Sequence, residues 1–358
     1  MRYPKFLEKG ETIGFPAPSF GCNTEPYSSR FDEALKYFES MGFKLLPGPN
    51  SRAGSGIGIS NTPDNCAKEL NDMFLDPAIN ALITCGGGEL MCEILEFTAI
   101  SWFKKSDPKW IMGYSDITNI EFPLLTLCDT ASIYGPCAPA YGLRPFHDSV
   151  GYALEILCGK RDTVHSFDLH EKYPYDQELS SEEAEPDPLK PWDLTEKSLK
   201  SVYDGNKLYS PGEFDGKTEF SGRLIGGCMD CIEELLGTPY EDVKGFLERY
   251  ASDGVIWCLE ACDLNVFSIR RAMWHFEQAG WFKKGIVKGF LFGRALNGQE
   301  MMGLDHIGAV LPYIEKLGVP AVIDCDLGHV APSMPLVLGS IGHIKVSGND
   351  LELKMEFA

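Results

Sequence analysis

Residues 109–118 read Lys-Trp-Ile-Met-Gly-Tyr-Ser-Asp-Ile-Thr. A short apolar run ends in Gly113-Tyr114-Ser115, and a helix-like segment begins at Asp116. A strand that delivers a serine to a sharp turn before a helix is a nucleophile elbow: the hydroxyl stands clear of the sheet and the next backbone N–H groups face the same space. Gly113 leaves room for such a turn, because a side chain two residues before the serine would crowd it. The chemistry this permits is attack of the Ser115 hydroxyl on a carbonyl. That attack needs a base to take the proton and a third group to orient the base.

Seven histidines are available as the base. His329 is the best placed, in a Gly-His turn just after an apolar strand and ahead of Val330-Ala331-Pro332. His275 lies on a helix, His306 opens one, and His343 falls in a terminal strand. His147, His165 and His170 lie near a linker. For the orienting carboxylate, Glu260 directly follows the apolar run Val255–Leu259, and a semi-buried carboxylate demands a partner. Asp116 is the rival, although beside the nucleophile it serves better as a helix N-cap, with its backbone N–H turned to an oxyanion. The order Ser115, Glu260, His329 is that of the α/β-hydrolases, but unrelated folds reach the same geometry in other orders. A second unusual turn, Gly86-Gly87-Gly88, follows the apolar run Ile79–Thr84. It offers backbone N–H groups to a phosphate or an oxyanion, yet lacks the Gly-Lys-Ser/Thr of a P-loop and the spaced glycines of a dinucleotide fingerprint.

The elements that must position these residues alternate. Strand-like runs at 11–18, 43–46, 79–84 and 109–114 are separated by helical patterns at 31–41, 62–75 and 89–97. Thr62 is placed as an N-cap and Pro63 at the first helical position. This alternation predicts an α/β fold whose N-terminal domain, residues 1–164, is a doubly wound, mostly parallel sheet. In such sheets sites form at the carboxyl ends of strands. Residues 165–220 are acidic, proline-bearing and poorly periodic, and read as a linker with an inserted loop carrying Trp192. Residues 221–358 form a C-terminal mixed α/β domain, expected as a small sheet or partly closed barrel with helices packed on it. It opens with Gly222-Arg223-Leu224-Ile225-Gly226-Gly227 entering a helix.

Composition bounds the rest. The 358 residues suffice for two domains with their own cores, and the 44% apolar and 23% charged shares are ordinary for a globular chain. The formal charge is −20, with no cluster of lysine and arginine of the kind a phosphate backbone requires. Nucleic acid is therefore not expected as a partner. Neither is a membrane, since there is no apolar run of the ~18 residues a spanning helix needs. The first residues lack a signal-peptide core, which reads as cytoplasmic. Of the twelve cysteines, Cys85, Cys258 and Cys325 lie in apolar runs as small hydrophobes. Cys228-Met229-Asp230-Cys231 is a lone CxxC without a second pair, so neither a structural metal nor a disulfide framework is expected.

With these residues in view, the chain resembles the LD-carboxypeptidase family of serine peptidases, which includes the microcin C self-immunity peptidases. The resemblance runs nearly end to end. It is carried by residues 14–19, Leu70-Asn71-Asp72-Met73-Phe74-Leu75-Asp76-Pro77, the Gly86-Gly87 turn, Gly113-Tyr114-Ser115-Asp116-Ile117-Thr118, residues 222–227, Leu259-Glu260, Gly328-His329 and Pro335-Leu336. It implies Ser115 as nucleophile, Glu260 as orienting acid, His329 as base and the backbone N–H groups of Gly87 and Asp116 as oxyanion hole. It also implies no metal or organic cofactor, a homodimer, and cleavage of an amide at the carboxyl side of a short substrate. The murein tetrapeptide, losing terminal D-alanine, is the leading candidate. Two departures bear on the substrate. Cys85 precedes Gly86-Gly87 where many members have arginine, and Cys228 follows Gly226-Gly227 where asparagine is usual. Both positions, with Gly86, are expected near the substrate. The long acidic segment resembles the immunity branch, which cleaves peptide-nucleotide or acyl-adenylate-like compounds; Trp192 reads first as docking on the body, and stacking on a base is the alternative which that branch implies. A catalytically silent small-molecule binder on the same fold is the alternative of another class.

Overall fold

The computed structural model describes residues 1–172 and 187–358. Residues 173–186, a largely acidic part of the stretch read as a linker, lie outside the described residues. Two compact units divide the chain: among the described residues, one holds 1–161 and 187–192, the other 162–172 and 193–358.

In the first unit the strands are β1 (Thr12–Phe15), β2 (Lys44–Pro47), β3 (Ala81–Ile83), β4 (Trp110–Gly113) and β5 (Ser132–Tyr134). They follow one another in the order β5-β4-β3-β1-β2, all parallel. Helices α1 (Tyr27–Ser40), α2 (Pro63–Leu75), α3 (Ile100–Phe103), α4 (Thr118–Thr126) and α5 (Asp148–Leu157) supply crossovers and cover. The central strands are short and apolar with no alternation, because a sheet covered on both faces buries every residue: all of β3 and β4 is buried. Helix α2 turns Cys66, Ala67, Leu70, Met73 and Phe74 inward at helical spacing. Leu70 and Phe74 meet Leu82, Phe103, Ile111 and Ile120 in one core cluster.

Two local expectations are corrected. Thr62 occupies the N-cap position of α2 but its side chain makes no capping bond, because its hydroxyl donates to Asp64 Oδ1 instead. The helix expected at 89–97 is a 3₁₀ helix, Met91–Phe97, which starts where the Asp116 carboxylate accepts the Met91 N–H.

The second unit is built on a nine-stranded mixed sheet. Its strands are β6 (Thr163–His165), β9 (Ser201–Asp204), β10 (Lys207–Tyr209), β11 (Lys217–Cys228), β12 (Val255–Glu260), β13 (Val287–Gly293), β14 (Ala321–Cys325), β16 (Ile341–Ser347) and β17 (Asp350–Glu356). The order is β10-β9-β14-β13-β12-β11-β16-β17-β6, with β11 to β14 parallel and the flanking pairs antiparallel. Strands β7 (Leu169–Glu171) and β8 (Leu194–Lys197) form a separate ribbon, and β15 spans Leu336–Leu338. The helices are α6 (Met229–Leu235), α7 (Val243–Arg249), α8 (Val266–Gln278) and α9 (His306–Leu317). This sheet is open and larger than expected. Part of it comes from 165–220, where strands of three or four residues are too short to show a period in the sequence. No helix among the described residues is long and apolar enough to cross a membrane.

One buried carboxylate ties the loops of the first unit together. Glu69 on α2 is 3% exposed, and its two oxygens accept the N–H groups of Ala17 (2.8 Å), beyond β1, and Asn50 (2.7 Å), beyond β2. Burial raises its pKa, while the two N–H groups and the Asn50 side chain oppose the rise. Replacing it by leucine would strand two buried donors, each costing about 1–3 kcal/mol. Glu69→Leu is therefore expected to lower stability by about 3 kcal/mol in a urea titration. An unchanged midpoint would show that these loops are held by something else.

Candidate active site

The sequence-predicted residues fall into two sets, one in each unit. Ser115, Asp116, Gly86, Gly87 and Trp192 belong to the first; Cys228, Glu260 and His329 belong to the second.

In the first unit β3 and β4 pair in register, Ala81 with Trp110, Leu82 with Ile111 and Ile83 with Met112. Parallel strands paired this way end side by side, so the turns that follow them, Gly86-Gly87 and Ser115, become neighbours. Ser115 has φ +63°, a left-handed conformation that a serine adopts at a cost of order 1–3 kcal/mol. It opens a 3₁₀ turn, Ser115–Ile117, that runs into α4. Its N–H donates to the Tyr134 hydroxyl at 3.2 Å. Gly87 lies against it: a Cβ there would stand 2.9 Å from Ser115 Cβ, 3.0 Å from its Oγ and 3.8 Å from Asp116 N. Only glycine permits that approach. The peptide of Gly87 is further fixed by the Phe20 N–H, which donates to its carbonyl at 2.8 Å.

Asp116 is not a helix N-cap. Its buried carboxylate accepts from the Ser19 hydroxyl, from Met91 N–H at 3.0 Å and from Asn119 Nδ2 at 2.9 Å. It bolts three loops around the serine turn, which the helix-start pattern alone did not reveal. Trp192 is partly buried beside His147, ring centroids 6.1 Å apart. His147 is in turn the N-cap of α5, accepting from Ser149 N–H.

In the second unit β11 and β12 also pair in register, and their last residues, Cys228 and Glu260, are direct partners. His329 comes from the loop after β14, and its Nδ1 hydrogen-bonds Glu260 Oε2 at 2.7 Å. Glu260 is 1% exposed, and the His329 side chain 11%. Gly328 makes the contact possible: its φ is +97°, and a Cβ there would fall 2.4 Å from Glu260 Oε2. Burial works against a charged imidazole. The Glu260 charge, together with hydrogen bonds to Cys262 and Glu260, outweighs that and holds the pKa of His329 well above its ordinary 6.5. Among the other histidines, His306 pairs with Asp324 at 2.8 Å, His343 with Glu356 at 3.0 Å, and His170 Nδ1 meets the Glu171 carbonyl at 2.7 Å.

Three positioning residues escaped the sequence. Asp230 accepts the N–H groups of Cys262, Asp263 and Leu264 at 3.0, 2.9 and 3.1 Å and thereby pins the turn after Glu260. Cys262, on that turn, hydrogen-bonds His329. Asp326, fully buried at the start of the His329 loop, binds Arg294 (2.6 Å), the Ser198 hydroxyl (3.0 Å) and Phe167 N–H (2.8 Å), with Lys200 at 3.6 Å. The Asp326 carbonyl accepts Met334 N–H at 2.8 Å and closes the loop. Asp230 sat inside the CxxC pattern and Asp326 three residues before His329, but neither spacing signals a role.

As for metal ligands, Cys228, Glu260 and His329 bring a thiol, a carboxylate oxygen and a ring nitrogen within 4.8 Å of one another; among the described residues this is the group able to do so. None of the twelve cysteines, all of them among the described residues, is joined in a disulfide.

This arrangement supplies a serine on a strained strand-end turn in one unit and an oriented, buried imidazole–carboxylate pair in the other. Comparison with known proteins gives it a setting. Residues 13–135 match the LD-carboxypeptidase N-terminal domain and 221–344 the LD-carboxypeptidase C-terminal domain. The chain is 24% identical, over 94% of its length and 89% of the other, to a Bacillus subtilis protein named a probable murein peptide carboxypeptidase. It is 26% identical to the microcin C7 self-immunity protein of Escherichia coli, over 65% of this chain and 63% of that one. A crystal structure of an MccF-like protein from Bacillus anthracis shares the fold, with a TM-score of 0.78 at 19% identity, covering 99% of this chain and 100% of that one. With both domain families matched in order over more than half its length, the chain belongs to the LD-carboxypeptidase family of peptidases.

Proposed function

We infer that this protein is a serine carboxypeptidase that hydrolyses an amide at the carboxyl end of a short peptide, with the murein tetrapeptide and its terminal D-alanine as the leading substrate. The observation that carries the reading is the buried Glu260–His329 hydrogen bond of 2.7 Å, a base held by a carboxylate in a member of this family. In the proposed reaction Ser115 Oγ attacks the carbonyl carbon while His329 takes its proton. The carbonyl oxygen becomes an oxyanion facing the N–H groups of Gly87 and Asp116. His329 then returns the proton to the departing amine, and water repeats the sequence in reverse on the acyl-enzyme. No metal or cofactor enters these steps. A second reading, cleavage of a peptide-nucleotide or aminoacyl-adenylate-like conjugate, draws on the 26% identity to the microcin C7 self-immunity protein. Incubation with tetrapeptide and with aminoacyl-sulfamoyl adenosines, followed by mass spectrometry, separates the two.

The nucleophile is tested by an active-site fluorophosphonate. Labelling is expected at Ser115 and lost in Ser115→Ala together with hydrolysis. Labelling elsewhere, or none on active protein, would refute the assignment.

Gly87→Ala places a methyl 3.0 Å from Ser115 Oγ and displaces a proposed oxyanion donor. Loss of one such donor typically costs roughly 10²–10³ in kcat. That loss, with little change in KM, is the expected result.

The raised pKa of His329 fixes a pH dependence. While protonated, the imidazole cannot accept the serine proton. kcat/KM should therefore rise about tenfold per pH unit through the acidic limb and level off only above an apparent pKa higher than the ordinary 6.5 of histidine. Glu260→Gln removes the charge that stabilises the imidazolium. Its limb should move to lower pH while the plateau falls on the order of 10⁴-fold. A limb that stays in place would show that Glu260 does not set the charge of the base.

A further inference from the structure

We propose that Cys228, Glu260 and His329 form a binding site for a thiophilic divalent cation, with Zn²⁺ as the representative ion, and that occupation of this site holds the enzyme inactive. The binding claim stands on geometry alone; its effect on rate rests on the reading of His329 as the base.

The three ligands converge for structural reasons. Cys228 and Glu260 end neighbouring parallel strands in register, and the Glu260–His329 hydrogen bond brings the imidazole to the same point. The ligand atoms lie within 4.8 Å of one another. Zinc bonds of about 2.3 Å to sulfur and about 2.0–2.1 Å to nitrogen and oxygen set tetrahedral ligand separations of about 3.3–3.6 Å. Accepting the ion thus requires the 2.7 Å His329–Glu260 contact to widen by a fraction of an ångström and the thiol to close by up to about 1.2 Å.

The chemistry of the set selects the ion. Thiolate and imidazole suit zinc, cobalt and their neighbours, whereas magnesium and calcium demand oxygen ligands. Cys228 and Glu260 are at most 2% exposed, so little water competes for the cation, while His329 retains some exposure through which a hydrated ion can arrive. A second layer supports the first. Asp230 accepts the Cys228 thiol at 3.3 Å while held by three backbone N–H groups, and Cys262 contacts His329. On binding, the Cys228 thiol proton and any proton on the ligating ring nitrogen leave to solvent as the ion exchanges waters for sulfur, nitrogen and oxygen. No redox change is involved. An imidazole whose lone pair is on the metal cannot take a proton from serine, so metal binding and base function exclude each other.

The experiment titrates the chelator-treated full chain with Co²⁺. The expected result is one ion per chain, with a thiolate-to-cobalt charge-transfer band in the near ultraviolet that Zn²⁺ abolishes by displacement. Cys228→Ser and His329→Gln should each lose the band or weaken binding at least about tenfold, with the circular dichroism of the fold retained. Cys231→Ser should keep it. Absence of a thiolate band at stoichiometric Co²⁺, or a band that survives Cys228→Ser or depends instead on Cys231 or Cys262, overturns the proposal. In the rate assay Zn²⁺ should slow wild-type hydrolysis. The Zn²⁺ needed for half-inhibition of Cys228→Ser, measured against that variant's own metal-free rate, should rise by the same factor as the Co²⁺ affinity falls. Binding without hydrolysis in any metal-free sample would sink the peptidase reading and leave the metal site standing. Hydrolysis indifferent to Zn²⁺ would sink the inhibition.

Discussion

Parallel strands paired in register finish at the same edge of their sheet, and the candidate residues of each unit depend on that constraint. In the first unit it sets the Gly86-Gly87 turn beside Ser115; in the second it sets Cys228 beside Glu260. Neither juxtaposition needs a long-range side-chain contact. The ladder spacing of neighbouring strands supplies it, and the loops only have to present what the strand ends deliver.

What the loops contribute is rigidity, and here carboxylates do the positioning, buried in every case but the half-buried Asp230. Asp116, Glu69, Asp230, Glu260 and Asp326 are acidic groups at the ends or joints of elements, and each takes two or more hydrogen bonds or a charged partner from neighbouring segments. A carboxylate withdrawn from water is costly unless it is satisfied in this way. Any movement that strands one of them is penalised, and the loops they hold are kept in one arrangement. The backbone strain at Ser115 persists in such surroundings because the ring of contacts around Asp116 leaves the turn no cheaper alternative.

Cys228 shows how the residue type at one strand end sets the chemistry open to a site. An amide at that strand end would offer a neutral hydrogen-bonding group. A thiol in the same register offers a soft ligand next to a carboxylate and an imidazole already joined by a hydrogen bond. On the readings proposed above, the same geometry serves proton transfer or metal capture, according to what occupies the imidazole nitrogen.

Much was legible in the chain itself. The unbroken apolar runs at β3, β4 and β12, the helical spacing in α2 and α8, and the glycine-bearing turns after strands follow from burial and backbone sterics, which act locally and leave their period in the residues. They were enough for the α/β class and for singling out Ser115, Glu260 and His329. The nine-stranded extent of the second sheet was not readable, since strands such as Lys207–Tyr209 are too short to carry a period and are defined by their partners. Nor were the roles of Asp116, Asp230 and Asp326. A carboxylate's partners come from residues as much as 159 positions away, as in Asp326 with Phe167, and no local pattern encodes them. Residue order decided which groups could react. The pairing of strands and the satisfaction of buried charge, both properties of the folded whole, decided which of them meet.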